Sequence, residues 1–190
     1  DLNGNGSLDG SESFLDGWQF NLQQYVSAIW TTISSVFTSG GGNWAFNLLG
    51  PGTYKVTEGT PPPGWVATNY LSGYGPVIVN YGSSPIIGVD FGNQGQGSIT
   101  IIKDVTPNDE SQWFFGISGP TLSDDFDLFD GGSQIYEGAA AGNYTINENP
   151  SDNYTTVWEC TVNQDPIVSG QGTTAEFELE PGQSVFCTFT

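Results

Sequence analysis

Residues 18–23 read Trp-Gln-Phe-Asn-Leu-Gln, and their spacing decides the fold class. Apolar side chains fall at 18, 20 and 22, with polar ones between them. A period of two sorts side chains onto the two faces of an extended strand, whereas a helix needs apolar positions three and four apart. The stretch predicts a half-buried β-strand. The same reading applies to residues 43–48 (NWAFNL), 52–58 (GTYKVTE), 76–81 (PVIVNY), 86–93 (IIGVDFGN) and 98–105 (SITIIKDV). It extends to residues 112–118 (QWFFGIS), 143–148 (NYTINE), 175–180 (AEFELE) and 184–190 (SVFCTFT). Clusters drawn from 27 Gly and 11 Pro separate these segments. No segment carries a convincing amphipathic helical pattern, so the fold class is all-β.

The strands repeat in pairs. Gly52-Thr53-Tyr54-Lys55-Val56-Thr57-Glu58 matches Gly142-Asn143-Tyr144-Thr145-Ile146-Asn147-Glu148 at an offset of 90, and Trp18–Leu22 matches Trp113–Ile117 at an offset of 95. The joint is expected at Gln94-Gly95-Gln96-Gly97. It divides the chain into two β-sandwich domains, residues 1–95 and 96–190, of ordinary domain size. So short a joint predicts a stiff, end-to-end arrangement.

Upstream of the first strand, residues 1–12 read DLNGNGSLDGSE. Asp1, Asn3, Asn5, Ser7, Asp9 and Glu12 stand at the spacing of a calcium loop. Asp1, Asn3 and Asn5 offer side-chain oxygens, Ser7 a main-chain carbonyl, Asp9 a direct or water-bridged contact and Glu12 a bidentate carboxylate, with Gly6 at the sharp turn. The plainer alternative is a loop closed by Asx turns alone. A calcium sensor places this loop between helices. Here a strand follows, so a bound Ca2+ would act as a clip that stiffens one end of the first domain. A second acidic run, Asp124–Asp130, alternates Phe126 and Leu128 against Asp125 and Asp127, which reads as a solvated strand face.

Composition narrows the chemistry. The 190 residues carry 21 acidic side chains against two lysines, a net charge of −19, with no Arg, His or Met. Such a charge repels phosphate backbones and anionic lipid, so no nucleic-acid partner is expected. No apolar run approaches the roughly 20 residues of a membrane span, so no direct membrane insertion is expected. An Asp at position 1 suggests a mature or excised part of a longer precursor. Without His there is no Ser-His or Cys-His nucleophile and no imidazole metal site, and without Arg no bidentate phosphate clamp. A carboxylate-pair glycosidase passes this filter, yet nothing marks out one pair, and the chain reads as a non-enzyme.

Three stretches of the first half, DLNGNGSLDGSE, LLGPGTYKVTEGTPPPGWV and GVDFGN, resemble the B-like repeats of serine–aspartate-repeat surface adhesins. In the second half, GSITIIKDVTPNDESQWFF, AGNYTINENP, the WEC segment and PGQSVFCTFT resemble the prealbumin-like, collagen-adhesin B-type domains of large secreted prokaryotic proteins. The resemblance implies two tandem prealbumin-like (inverse immunoglobulin-like) sandwiches in an extracellular, cell-surface stalk, pilus or filament. The partners it implies are copies of the chain or neighbouring tandem domains.

In collagen-adhesin B-type domains a Lys on the first strand forms an isopeptide bond with an Asn on the last, and a buried Glu shuttles the proton. Lys103 shares the apolar face of its strand with Ile99, Ile101 and Val105, and Glu148 shares that of Tyr144 and Ile146. Both are therefore expected inside the second domain, either as an ion pair or as parts of an isopeptide site. The matching Asn would stand one position beyond Thr190. The first domain shows the converse, with Glu58 and Asn93 on inner faces and no lysine strand, since Lys55 alternates outward. Each domain thus lacks one piece, which a longer repeat or a neighbouring chain would supply, head to tail.

Cys160 and Cys187 fall on inward positions of two strands and are expected to form a disulfide in a secreted domain. Asn143-Tyr-Thr and Asn153-Tyr-Thr are glycosylation sequons, and Asn5-Gly-Ser is a third that calcium would compete for. A rival reading is a ligand-binding adhesin module for a host or carbohydrate ligand, using Trp30, Trp65, Tyr70 or Tyr74, whose alternative role is packing.

Overall fold

A computed structural model describes residues 1, 4–10, 12–80, 82, 83, 86, 88–108 and 110–190. Its strands are β1 (Gln19–Val26), β2 (Ile29–Phe37), β3 (Gly52–Glu58), β4 (Trp65–Ala67), β5 (Tyr74–Val79), β6 (Asn93–Lys103) and β7 (Trp113–Ser118). They continue with β8 (Ser123–Leu128), β9 (Ser133–Ala140), β10 (Gly142–Glu148), β11 (Val157–Val162), β12 (Asp165–Gln171), β13 (Thr174–Leu179) and β14 (Ser184–Phe189). Among the described residues there is no helix, and the protein is all-β. By its contacts the chain forms two compact units. The first holds the described residues up to Pro62 with Val66–Asn93, and the second holds Pro63–Trp65 with Gln94–Thr190. The glycine-rich Gln94–Gly97 stretch lies inside β6, where Gln96 and Gly97 pair with Ala140 and Ala139 of β9.

The first unit is built on a four-stranded antiparallel sheet in the order β2-β1-β3-β5. Trp18, Phe20, Leu22 and Tyr54 are its buried apolar side chains, as the alternation in residues 18–23 requires. Trp44 stacks on Phe20 at 4.8 Å, and Phe91 lies 4.7 Å from the same ring. Two expected strands need correction here. Residues 44–48 and the described residues of 86–92 belong to no strand, and Ser39 and Asn43 form only an isolated bridge. Trp44 and Phe46 still alternate inward against exposed Ala45 and Asn47. Alternation reports burial on one side, and these segments cover the sheet without joining a ladder.

The second unit is a sandwich of two sheets. One runs β13-β10-β7-β8. In the other, β11 lies between β12 and β14, and β6 lies between β14 and β9. β6 and β14 run parallel from Ser98↔Ser184 to Lys103↔Phe189, while β6–β9, β7–β8, β7–β10, β10–β13, β11–β12 and β11–β14 pair antiparallel. The core contains Ile99, Ile101, Ile146, Val185 and Phe189, each at 0–1 % exposure. Burial of each contributes about 1.5–3 kcal/mol before entropy is counted. The acidic run forms β8, with Leu128 buried, Phe126 half-buried and Asp125 and Asp127 in solvent.

The two units share a register. Phe20 faces Glu58 and Leu22 faces Val56 across β1 and β3, while Phe115 faces Glu148 and Ile117 faces Ile146 across β7 and β10. The same pattern of apolar positions thus delivers one carboxyl to an equivalent interior place in each unit.

Candidate functional site

In the second unit that place holds an ion pair. The ladder pairs Lys103 with Phe189, and the Lys103 main chain is pinned by a bond to the Gly132 carbonyl (3.1 Å) and one from the Gly131 amide (2.8 Å). Its side chain therefore points inward, where Nζ meets Glu148 Oε1 at 3.0 Å, with the two side chains 2 % and 0 % exposed. Lys103 comes from one sheet and Glu148 from the other, so the pair spans the interior of the sandwich. The ammonium also sits 4.3 Å from the centre of the Trp113 ring, whose face attracts a cation. Thr156 Oγ1 donates to Glu148 Oε2 at 2.6 Å. Sequence periodicity points to Lys103 and Glu148 but not to Thr156 or Trp113, because nothing in their spacing marks them as partners of a charge.

In the first unit the equivalent carboxyl meets an amide. Asn93 is 5 % exposed, and its Nδ2 donates to Glu58 Oε1 at 2.6 Å. Among the described residues, Glu58 Oε2 and Asn93 Oδ1 are buried and have no hydrogen-bond partner. Burial pushes the Glu58 carboxyl above its ordinary value of 4.5, and the bond from Asn93 opposes this only in part. Both side chains line a cleft of about 90 Å³ whose apolar wall includes Trp18, Phe20, Trp44 and Phe91. Lys55 does not enter it. It lies on the other face of β3, 5.0 Å above the Trp30 ring.

The loop before β1 forms another wall of this cleft. Asp1 Oδ1 and Oδ2 accept from the amides of Asn5 (3.1 Å) and Gly6 (2.6 Å), and Asn5 Oδ1 accepts from the Ser7 amide (2.7 Å). Asn5 Nδ2 donates to Asp9 Oδ2 (3.0 Å), and Glu12 Oε2 accepts from the Asp9 amide (2.8 Å). Gly6 turns the chain at φ 74°, a left-handed conformation that favours glycine. Asn69, unmarked in the sequence, ties the loop down: Nδ2 donates to the carbonyls of Gly6 (2.7 Å) and Asp90 (3.1 Å), and Oδ1 accepts from Gly92 (2.8 Å). Asn3 lies outside the described residues. All the donors are oxygens, the type that a hard cation such as calcium takes. Among the described residues, no three acidic side chains converge on one point.

Cys160 and Cys187 form a disulfide between directly paired positions of β11 and β14, with Cα atoms 4.0 Å apart. The bond closes a span of 27 residues, which contributes about 3–4 kcal/mol in the chain-entropy account. Asn143 and Asn153 are exposed, so both sequons face solvent. The aromatics considered for ligand binding engage other side chains. Trp30 lies between Tyr25 and Lys55, and Tyr70 packs edge-on against Tyr74 and Phe91 while remaining 42 % exposed. Trp65 is half-buried.

No family model and no curated protein matches the chain. Among solved structures, the major pilin from Streptococcus pyogenes aligns with 100 % of this chain and 93 % of its own length, at 17 % identity and a TM-score of 0.48. A bacterial adhesin from Mobiluncus mulieris containing intramolecular disulfide, isopeptide and ester bond cross-links aligns with 50 % of this chain and 42 % of its own, at 20 % identity and a TM-score of 0.38. The Bacillus anthracis TIE protein aligns with 95 % of this chain and 43 % of its own, at 17 % identity and a TM-score of 0.43.

Proposed function

We propose that the chain is a load-bearing structural module of an extracellular surface stalk, pilus or filament. It would be stiffened by calcium and by covalent links, and would assemble head to tail with copies of itself or with neighbouring tandem domains. The observation that carries this reading is the parallel ladder of β6 and β14. Because β6 and β14 run parallel, the N-terminal end of β6 and the C-terminal end of β14 lie at opposite ends of one ladder. Tension between them loads six residue pairs, Ser98↔Ser184 to Lys103↔Phe189, in shear and all at once. A hairpin pulled from one end would instead open pair by pair.

Two features reinforce the strands that bear this load. The Cys160–Cys187 bond staples β14 to β11, and the Lys103–Glu148 pair ties β6 to the opposite sheet. In the first unit, calcium held by Asp1, Asn3, Asn5, Ser7, Asp9 and Glu12 would brace the end of the unit where the loop bonds to residues 90–93. The ion supplies charge that draws loop oxygens together, and the residues themselves supply only binding and orientation.

Single-molecule stretching tests the mechanical part. Oxidised protein should unfold its second unit in one high-force step, since forced unfolding tracks the unfolding rate and not the equilibrium stability. The disulfide hides 27 residues from extension, so reduction should lengthen the unfolded chain by about 90 Å, at 3.3–3.6 Å per residue. Opening at low force, in steps that start from β14, would refute the load-bearing role. Electron microscopy of native material with antibody against the chain tests the location, and label absent from any surface fibre would refute that part.

A further inference from the structure

The outer face of the first unit's sheet differs in charge from the rest of the molecule. Residues 17–57 contain no Asp or Glu and one lysine, in a chain with 21 acids. The acids that bound this stretch are turned elsewhere. Asp16 accepts from the Gly41 and Gly42 amides at 3.0 and 2.7 Å, and Glu58 meets Asn93 in the interior. Lys103 is buried, so Lys55 is the lysine outside the core, and among the described residues its ammonium has no ion pair.

Strand register arranges this face in rows. Thr57, Asn21 and Ser35 lie side by side across β3, β1 and β2, and Lys55, Gln23 and Thr32 form the next row. Beyond them Tyr25 pairs with Trp30, their ring centres 5.0 Å apart, with the Lys55 ammonium 5.0 Å from the centre of the Trp30 ring. Neighbouring strands stand about 4.8 Å apart and alternate residues about 6.7 Å, so the rows cover roughly 10 by 13 Å. Ser35 Oγ donates to Asn21 Oδ1 at 2.7 Å, and Gln23 Nε2 donates to Thr32 Oγ1 at 3.3 Å. Asn21 Nδ2 is then left as a donor and Gln23 Oε1 as an acceptor for a guest.

Amides and hydroxyls at the centre of the patch are unlike the apolar centre of a protein–protein interface. They suit a guest rich in hydroxyls, and the Tyr25 ring, 47 % exposed, suits the C–H face of a sugar. An uncharged sugar chain would be served as well by carboxylates, which accept strongly from hydroxyls. Amides in place of acids, around one uncompensated ammonium, therefore select a guest that carries negative charge. The net charge of −19 repels polyanions as a whole. Screening at physiological salt confines that repulsion to about 8 Å from each acid, so a locally acid-free face is what an anionic guest needs.

We propose that this face binds a carboxylate-bearing polysaccharide, with Lys55 on the carboxylate, Asn21 and Gln23 on hydroxyls, and Tyr25 and Trp30 against a sugar ring. The site uses neither the ladder of β6 and β14 nor the calcium loop, so this inference and the load-bearing reading stand or fall separately.

Oligogalacturonate is the probe, and its methyl ester, the same chain without the charge, is the control. Titrated into the 190-residue protein, the uronate should give saturable shifts of backbone amide NMR signals in β1, β2 and β3. The ester should bind about 3- to 10-fold more weakly, between the contributions of an exposed ion pair and of a hydrogen bond to a charged group. Lys55→Gln should erase that difference and leave affinity for the ester unchanged. Gln23→Glu, which sets an acid beside Lys55, should weaken the uronate by at least as much and spare the ester. Tyr25→Ala should weaken both. No shifts, shifts confined to other strands, an ester that binds as tightly as the uronate, or a Lys55→Gln protein that still prefers the uronate would each overturn the proposal. Self-association of the unliganded protein through β1, β2 and β3 would overturn it too, and would assign the face to the acids of a second copy.

Discussion

Removing one partner of the buried pair in the second unit tests the energetics directly. At 3.0 Å and an effective dielectric constant of about 20, the attraction between Lys103 and Glu148 is about 5–6 kcal/mol, and desolvation of two buried ions offsets most of it. Lys103→Met keeps the apolar stem and deletes the charge, which strands a carboxylate with no exposure beside Trp113 and Thr156. The cost expected is about 3–5 kcal/mol. For a unit of this size each kcal/mol moves the melting temperature by about 4–8 °C, so a fall of at least about 12 °C should follow. Lys103→Met with Glu148→Leu removes both ions and should recover most of the loss, because an apolar pair of similar volume needs no solvation. Urea unfolding followed by tryptophan fluorescence reads these two variants and Glu148→Leu alone, with hydrogen exchange at β6 and β10 assigning the change to the second unit. A single variant within about 1 kcal/mol of the parent would refute the reasoning, as would a double variant that loses the sum of the two singles.

Two further outcomes concern the first unit. Chelation, or Glu12→Gln, should lower the melting temperature of the first unit and leave the second unchanged, checked by calorimetry with elemental analysis for bound calcium; no shift and no calcium would refute the loop assignment. The raised carboxyl of Glu58 predicts a pH dependence whose sign is fixed. As pH rises above the ordinary value of 4.5, the unfolded chain gives up this proton while the folded one keeps it, so folding loses stability until the folded carboxyl ionises as well. Glu58→Gln should therefore gain stability over the parent progressively from about that pH upward, then level off. Urea titrations at steps between acid and neutral pH check this, and a constant difference across the range would count against it.

Much of this architecture was legible in the sequence because burial on one side leaves a period of two. That pattern places Phe20, Ile101, Lys103, Ile146 and Glu148 inside and Lys55 outside, and the structure has each of them there. It does not say whether an extended segment finds a hydrogen-bonding neighbour, which is why residues 44–48 read as a strand and are none. Strands β2 and β12 were hidden for the opposite reason. The β1–β2 and β11–β12 hairpins turn on Ser27-Ala28 and Asn163-Gln164, all four at positive φ and with no glycine among them. The usual glycine signal of a two-residue hairpin is absent there. A bulge at Leu22–Gln23 further breaks the pattern of β2, and Pro166 stands inside β12. Asn69 and Thr156 were invisible because each acts on residues far from it in sequence or on a charge whose partner sequence spacing does not name.

The carboxyl at the shared register also bears on why it is kept. A buried polar atom without a partner costs about 1–3 kcal/mol, and among the described residues of the first unit Glu58 Oε2, Asn93 Oδ1 and Thr68 Oγ1 are such atoms. Leucine at position 58 or 93 would remove that residue's unpartnered oxygen. In the second unit the equivalent acid has an ammonium 3.0 Å from one oxygen and a hydroxyl donating to the other. The shortage in the first unit is therefore not imposed by the fold. It lies in what comes to the acid from the facing segment, an amide where the other unit brings an amine.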